Sequence, residues 1–253
     1  MNIDEGSNDV LTVKPFDNQL KQSREIHPDL PNPSFAILLV GPPGSGKSNL
    51  ILRLIYGNKK SPKCNPDNKH YKFYRHHFSK IYVFSRSWSL DKKTSRCRIP
   101  ENQIFEDEED YEEILEEIVK GQEEDAEEDE LEEILLIFTD LAGTKLFSTN
   151  RGVLSRIAFN RRHLGISYVV DSQALRQINS AMRSTMSAVM LFAGISNRQE
   201  LKKISEEYLG RYTPEQARNI LKYAFKTPFD FLYVNLVKRQ LYRNFNPLTI
   251  TTA

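Results

Sequence analysis

Apolar positions along this chain fall into short dense runs, separated by mixed stretches whose apolar spacing is helical. Phe35 to Val40 (FAILLV) is continuously apolar, the pattern of a strand buried on both faces. The stretch NLILRLIYG, 49–57, has one apolar stripe and predicts a helix ended by Gly57. A second strand is read at Ile81–Phe84 and a third at Ile134–Phe138 (ILLIF), which runs into Thr139-Asp140. GVLSRIAFNRRHLG, 152–165, predicts a helix stopped by Gly165. ISYVVDSQ, 166–173, and SAVMLFAG, 187–194, give a fourth and a fifth strand. Two amphipathic helices follow at 197–210 and 213–226, with Asn197 and Thr213 as N-cap residues. FDFLYVNLV and LYRNF read as a closing β-hairpin at the sheet edge. Strands alternating with helices predict a parallel sheet covered on both faces in one domain.

The segments outside this pattern set the domain limits. Residues 1–33 are polar and close on His27-Pro28-Asp29-Leu30-Pro31-Asn32-Pro33, which cannot be helix, so they read as an N-terminal arm. The folded domain is expected over 34–246, with 247–253 as a C-terminal tail. In the acidic stretch 101–133, YEEILEEIVK forms a plausible amphipathic helix. GQEEDAEEDE, 121–130, has no apolar face and is expected to be solvated or disordered. Residues 58–79 are basic and irregular. There Lys69, Lys72, Arg75 and Lys80 interleave with Tyr71, Phe73 and Tyr74, which suits nucleic-acid contact or, equally, a basic loop with partly buried aromatics. Trp88 reads as core.

Composition adds two exclusions and one clue. Two cysteines in 253 residues build no disulfide framework, and no run approaches the ~20 apolar residues of a membrane span. The N-terminus is acidic and polar, so a secreted or membrane-spanning protein is not expected. Net charge is only +1, yet residues 101–133 hold 19 Asp+Glu and one Lys, a net of −18. The remaining 34 Lys+Arg against 15 Asp+Glu give +19. A body that basic suits a polyanionic partner, unless it only balances the acidic stretch in cis.

The chemistry is carried by Gly41-Pro42-Pro43-Gly44-Ser45-Gly46-Lys47-Ser48, a full G-x-x-x-x-G-K-[ST] motif between a strand and a helix. Its glycines let backbone N–H groups and the helix N-terminus face phosphate oxygens. Lys47 is assigned to the β- and γ-phosphates of ATP, Ser48 to Mg2+, and Asn49 to the edge of the same cradle. Asp140, at the end of its buried strand, is the candidate metal or catalytic acid. Gln173, at the tip of the next strand, is the candidate γ-phosphate sensor if that strand lies between the other two. A turn glutamine without a role is the alternative. Arg161 and Arg162 end the preceding helix, pointing away from the chain's own nucleotide. Either serves as an arginine finger toward a neighbour in a ring, or both simply complete a basic helix C-terminus.

With these residues in view, the chain resembles the genome-packaging ATPases of the FtsK/HerA superfamily, and within it the poxvirus-type branch of large DNA viruses, virophages and Polinton-like elements. The matching phrases are FAILLVGPPGSGKSNLILRLI, ILLIFTDLAG, RRHLGISYVVDSQ and FLYVNLVKRQLYRNFNP, spanning about residues 35–246. The resemblance implies an α/β P-loop NTPase of the ASCE/RecA-like kind, with a mainly parallel sheet and helices on both faces. It implies nucleotide contact for Gly41–Ser48, metal or acid duty for Asp140, a sensor in Gln173 and a finger in Arg162. It further implies a hexameric or pentameric ring that drives double-stranded DNA into a capsid, at the host-cell site of virion assembly. A helicase or remodelling ATPase, and a low-turnover ATP-binding assembly factor, are the competing readings. One departure stands out: where relatives carry two adjacent acids, this chain has Thr139-Asp140.

Overall fold

The fold is described from a computed structural model, which covers residues 26–56, 73–90, 94, 97, 99–148 and 152–250. Apolar runs become strands where the sequence places them: β1 (Ala36–Val40), β2 (Lys80–Ser85), β4 (Ile134–Thr139), β5 (Ile166–Ser172) and β6 (Ala188–Phe192). A two-residue strand, β3 (Ile104–Phe105), precedes β4 in the chain. The C-terminal segment supplies β7 (Phe231–Asn235), β8 (Gln240–Arg243) and β9 (Asn246–Pro247). All nine form one sheet in the order β3-β2-β4-β5-β1-β6-β7-β8-β9. The six strands from β3 to β6 are parallel, and β7, β8 and β9 close the edge antiparallel.

Alternation within the strands divides the core in two. Ala36, Leu38 and Val40 of β1 face one apolar cluster, and Ile37 and Leu39 face the other. Helix α1 (Lys47–Tyr56) covers the second face with Leu50, Ile51, Leu54 and Ile55. The first face is covered by α2 (Tyr111–Glu127), α4 (Val153–Asn160), α6 (Arg198–Tyr208) and α7 (Pro214–Ala224). Two shorter helices, α3 (Lys145–Ser148) and α5 (Ser180–Ser184), lie in the connections. Asn197 accepts the N–H groups of Gln199 and Glu200 at the start of α6. Thr213 and Gln216 form a capping box ahead of α7, with Pro214 in its first turn. Trp88 lies in the core, 4% exposed.

Two expectations are corrected and one alternative is met. The stretch 121–130 is not without structure: α2 continues to Glu127. Gln122 is buried and its side-chain amide donates to the carbonyls of Glu132 and Leu164, anchoring a helix turn that lacks an apolar face. Tyr111, Leu115 and Val119 complete that anchorage in the core. Helix α4 ends at Asn160, short of Gly165. Residues 161–165 instead form a turn in which Gly165, at φ +60°, sits where a Cβ would meet the Glu132 carbonyl at 2.8 Å. Of the basic segment's described aromatics, Tyr74 is buried and donates to the Pro31 carbonyl, and Phe73 is half-buried and packs on Phe245, in keeping with the reading of partly buried aromatics. Lys69, Tyr71 and Lys72, together with Gly57 as the stop of α1, lie outside the described residues.

Residues 26–33, the end of the polar arm, dock on the sheet. Leu30 is buried, and Tyr233 and Asn235 both donate to the Asp29 carbonyl. Among the described residues, no helix is long and apolar enough to cross a membrane.

Candidate active site

Strand order decides what surrounds the glycine-rich loop. β5 lies directly between β1 and β4, with Leu39 opposite Asp171 and Val40 opposite Ser172. The loop therefore leaves β1 beside the tip of β5. Its first N–H, that of Gly41, donates to the Ser172 carbonyl at 3.0 Å.

Gly41 is required by space. A Cβ there would meet Phe192 Cβ at 2.7 Å and Ser45 Oγ at 2.8 Å. Gly44 and Gly46 are required by conformation, at φ +76° and +105°. Pro42 and Pro43 stiffen the approach, and Ser45 closes the turn by donating its N–H to the Pro42 carbonyl. Lys47, Ser48 and Asn49 then form the first turn of α1, whose free N–H groups face the loop.

The Lys47 side chain is buried and folds back over the loop. Its Nζ donates to the carbonyls of Gly41 at 2.8 Å and Pro42 at 3.2 Å. Burial lowers its pKa, opposed by the charges of Asp171 and Asp140. Ser45 Oγ is buried with no hydrogen-bond partner. An ammonium held on two carbonyls and an orphan hydroxyl in a positive-φ loop are groups suited to an anion.

Asp140 follows β4 at φ +59°, its carboxylate exposed and accepting from Ser87 Oγ at 2.6 Å. Its N–H donates to Asp171 Oδ1 at 3.1 Å. Asp171 is the residue that sequence reasoning passed over in favour of Gln173. It is 5% exposed, and burial pushes its carboxyl up to about 6. The Asp140 N–H and Lys47 oppose that rise, and the Asp140 charge adds to it. The available signal was an acid near the end of a strand otherwise apolar on both faces. It places a second carboxylate beside Asp140, contributed by the neighbouring strand across the β4–β5 pairing. Thr139 itself is buried opposite Ser85.

Gln173 stands where the reading placed it, exposed at the tip of β5 next to the start of the loop. The two arginines part company. Arg161 is engaged within its own fold: its guanidinium donates to the carbonyls of Ser34 at 2.9 Å and Ala158 at 2.6 Å. It ties the end of α4 to the entry of β1. Arg162 is exposed, on a concavity of about 540 Å³ that also includes Phe159 and Val237. Both lie at the end of β1 opposite the loop. Five residues of strand at ~3.3 Å each keep them roughly 16 Å from this chain's own cradle.

The donor set near the cradle is hard: the Ser48 hydroxyl and the carboxylates of Asp140 and Asp171, set beside a loop built for phosphate. That chemistry fits Mg2+, which takes oxygen ligands and leans on substrate phosphates. Among the described residues no three His, Cys, Asp or Glu side chains converge as a metal cage of their own.

Sheet, loop and acids together define a P-loop NTPase fold with one strand inserted between the loop strand and the acid strand. Solved structures with this fold include the DNA-packaging ATPase B204 of Sulfolobus turreted icosahedral virus, at TM-score 0.57 and 17% identity. The alignment covers 86% of this chain and 100% of that one. The genome-packaging NTPase B204 of Sulfolobus turreted icosahedral virus 2, in complex with ATP-gammaS, is similar at TM-score 0.57 and 16% identity, over 86% and 100% of the two chains. The cytoplasmic domain of the type VII secretion ATPase EccC of Thermomonospora curvata matches at TM-score 0.50 and 16% identity, over 87% of this chain and 24% of that one. No protein-family model and no curated protein matches the sequence. The P-loop NTPase fold expected from the motifs is thus shared with these solved structures.

Proposed function

We propose that this chain is an ATP-hydrolysing motor that moves double-stranded DNA into a viral or virus-like capsid. The observation that carries the reading is the gathering of Lys47, Asp140 and Asp171 around the glycine-rich loop, through a β5 inserted between β1 and β4. The packaging ATPases with a similar fold support the substrate class.

The residues act as follows. Backbone N–H groups of 44–48 and the N-terminus of α1 wrap the phosphates. Lys47 exchanges its two carbonyl partners for β- and γ-phosphate oxygens. Ser48 and Asp140 are the groups that would hold Mg2+, which when bound neutralises charge developing on the transferred phosphoryl group. Asp171 fixes the Asp140 backbone through its N–H and balances Lys47. Gln173, exposed at the β5 tip, orients water or reads the γ-phosphate. Arg162 reaches outward toward the nucleotide of a neighbouring copy, which calls for a hexameric or pentameric ring. The chain then works in the host cell where virions assemble, with the capsid or its portal as partner.

A second reading has one observation in its favour. Thr139 replaces an acid, and the Asp140 carboxylate is engaged by Ser87, as suits a nucleotide-dependent assembly factor of low turnover. ATP hydrolysis measured with and without duplex DNA, against Lys47→Ala as control, decides between them. The motor reading expects stimulation by duplex that Lys47→Ala abolishes. Absence of stimulation overturns it in favour of the assembly factor. Strand separation in place of duplex translocation would mark a helicase.

A further inference from the structure

The wall of the cradle away from the acids contains a feature the motor chemistry leaves unused. β6 and β7 lie on the other side of β1 from β5, and β7 is antiparallel, so the turn before it stands at the same end of the sheet as the glycine-rich loop. That turn is Thr227-Pro228-Phe229-Asp230. Phe229 is 66% exposed and holds φ +70°, a conformation that costs any residue except glycine. Its ring lies against the loop: a Cβ built on Gly46 would come 3.6 Å from Phe229 Cδ1.

The turn is braced in this pose. Asp230 accepts from the Thr227 N–H at 2.9 Å, from Arg243 at 2.7 Å and from the Asn244 amide at 3.0 Å. The Asp230 carbonyl accepts the Ala193 N–H at 2.8 Å, stitching the turn to the loop after β6. A strained, exposed aromatic held by these hydrogen bonds beside a phosphate cradle is backbone strain with a use.

Direction follows from the acids. Lys47, Asp140 and Asp171 fix the γ-phosphate end on the β4–β5 side, so the nucleoside leaves on the β6–β7 side, where Phe229 stands. We infer that Phe229 is the stacking platform for the nucleotide base, selecting purine over pyrimidine nucleoside triphosphates by area of overlap. The ring offers no hydrogen bond, so adenine and guanine are distinguished weakly. This inference rests on the reading of 41–48 as a nucleotide cradle.

The test is calorimetric titration of the full chain with ATP, CTP and inorganic tripolyphosphate, each with Mg2+, comparing wild type, Phe229→Gly and Phe229→Tyr. Glycine takes φ +70° freely and the side chain is exposed, so Phe229→Gly should fold at least as well as wild type, checked by its melting temperature. It should bind ATP roughly 5- to 100-fold more weakly. Tripolyphosphate affinity should stay within about 2-fold, CTP should lose less than ATP, and Phe229→Tyr should restore ATP binding. Unchanged ATP affinity in Phe229→Gly, or an equal loss for ATP and tripolyphosphate, overturns the stacking role while the cradle stands. Wild type that binds neither ATP nor tripolyphosphate removes the cradle and this inference with it.

Discussion

Replacing Asp171 with asparagine should stabilise the ligand-free protein and slow hydrolysis. The carboxyl is 5% exposed, and burial lifts it to about 6 from an ordinary 3.8. Between those values the folded state keeps a proton that the unfolded chain has released. Stability therefore falls as pH rises through about 4 to 6, and the full cost is present above it. About two units correspond to ~3 kcal/mol, an upper bound because water reaching the open cradle relieves part of the burial. In a chain of this size ~1 kcal/mol moves Tm by about 2–4 °C, so the ceiling is roughly 6–12 °C. The asparagine amide would keep an oxygen for the Asp140 N–H and discard the charge. Thermal melts of both proteins without ligand should show the Asp171→Asn variant higher at pH 8, with the gap about halved at pH 5 and closing below about pH 4. Hydrolysis should drop about 10- to 100-fold through the loss of the charge that balances Lys47. A Tm gap of equal size at both pH values, or none at pH 8, would refute the argument from burial.

Four further outcomes are expected. Arg161→Ala should lower stability by about 1–3 kcal/mol in a denaturant melt, because the Ser34 and Ala158 carbonyls lose their donor. Arg162→Ala should leave that melt unchanged and lower only the ATPase of the assembled protein. The Asp230 carboxyl is pulled up by burial but held far below its usual range by Arg243, Asn244 and Thr227. Its contribution is present above about pH 4 and lost as pH falls through the acid range. Asp230→Asn should then destabilise at pH 7, with the difference shrinking in melts taken below pH 4. Finally, Gln substitutions at the exposed Glu113, Glu117 and Glu127 of α2 should tighten duplex DNA binding and steepen its salt dependence. Unaltered affinity in a salt titration would show that the acidic helix does not compete with DNA for the basic body.

Most of the fold was legible because its signals are local. Continuous apolar runs of five or six residues between turns read as strands covered on both faces, and Asn197 and Thr213 mark helix starts by their own side chains. The cradle was legible for the same reason: loop, lysine and hydroxyl lie within 41–48, so spacing alone specifies their geometry. The helical reach of α2 was not legible, because Gln122 is secured by carbonyls of Glu132 and Leu164, the latter 42 residues away.

The division is clearest at the acids and the arginines. The sequence determined that a phosphate-binding loop follows β1 and that an acid ends β4. Only the tertiary structure decided that Asp171 lies beside both, that Arg161 is spent on Ser34 while Arg162 stays exposed, and that Phe229 meets Gly46. Each of those depends on strand order and on pairing between segments far apart in the chain. A pattern read along one strand sets which face is apolar, but contains no term for which strand comes to lie next to it.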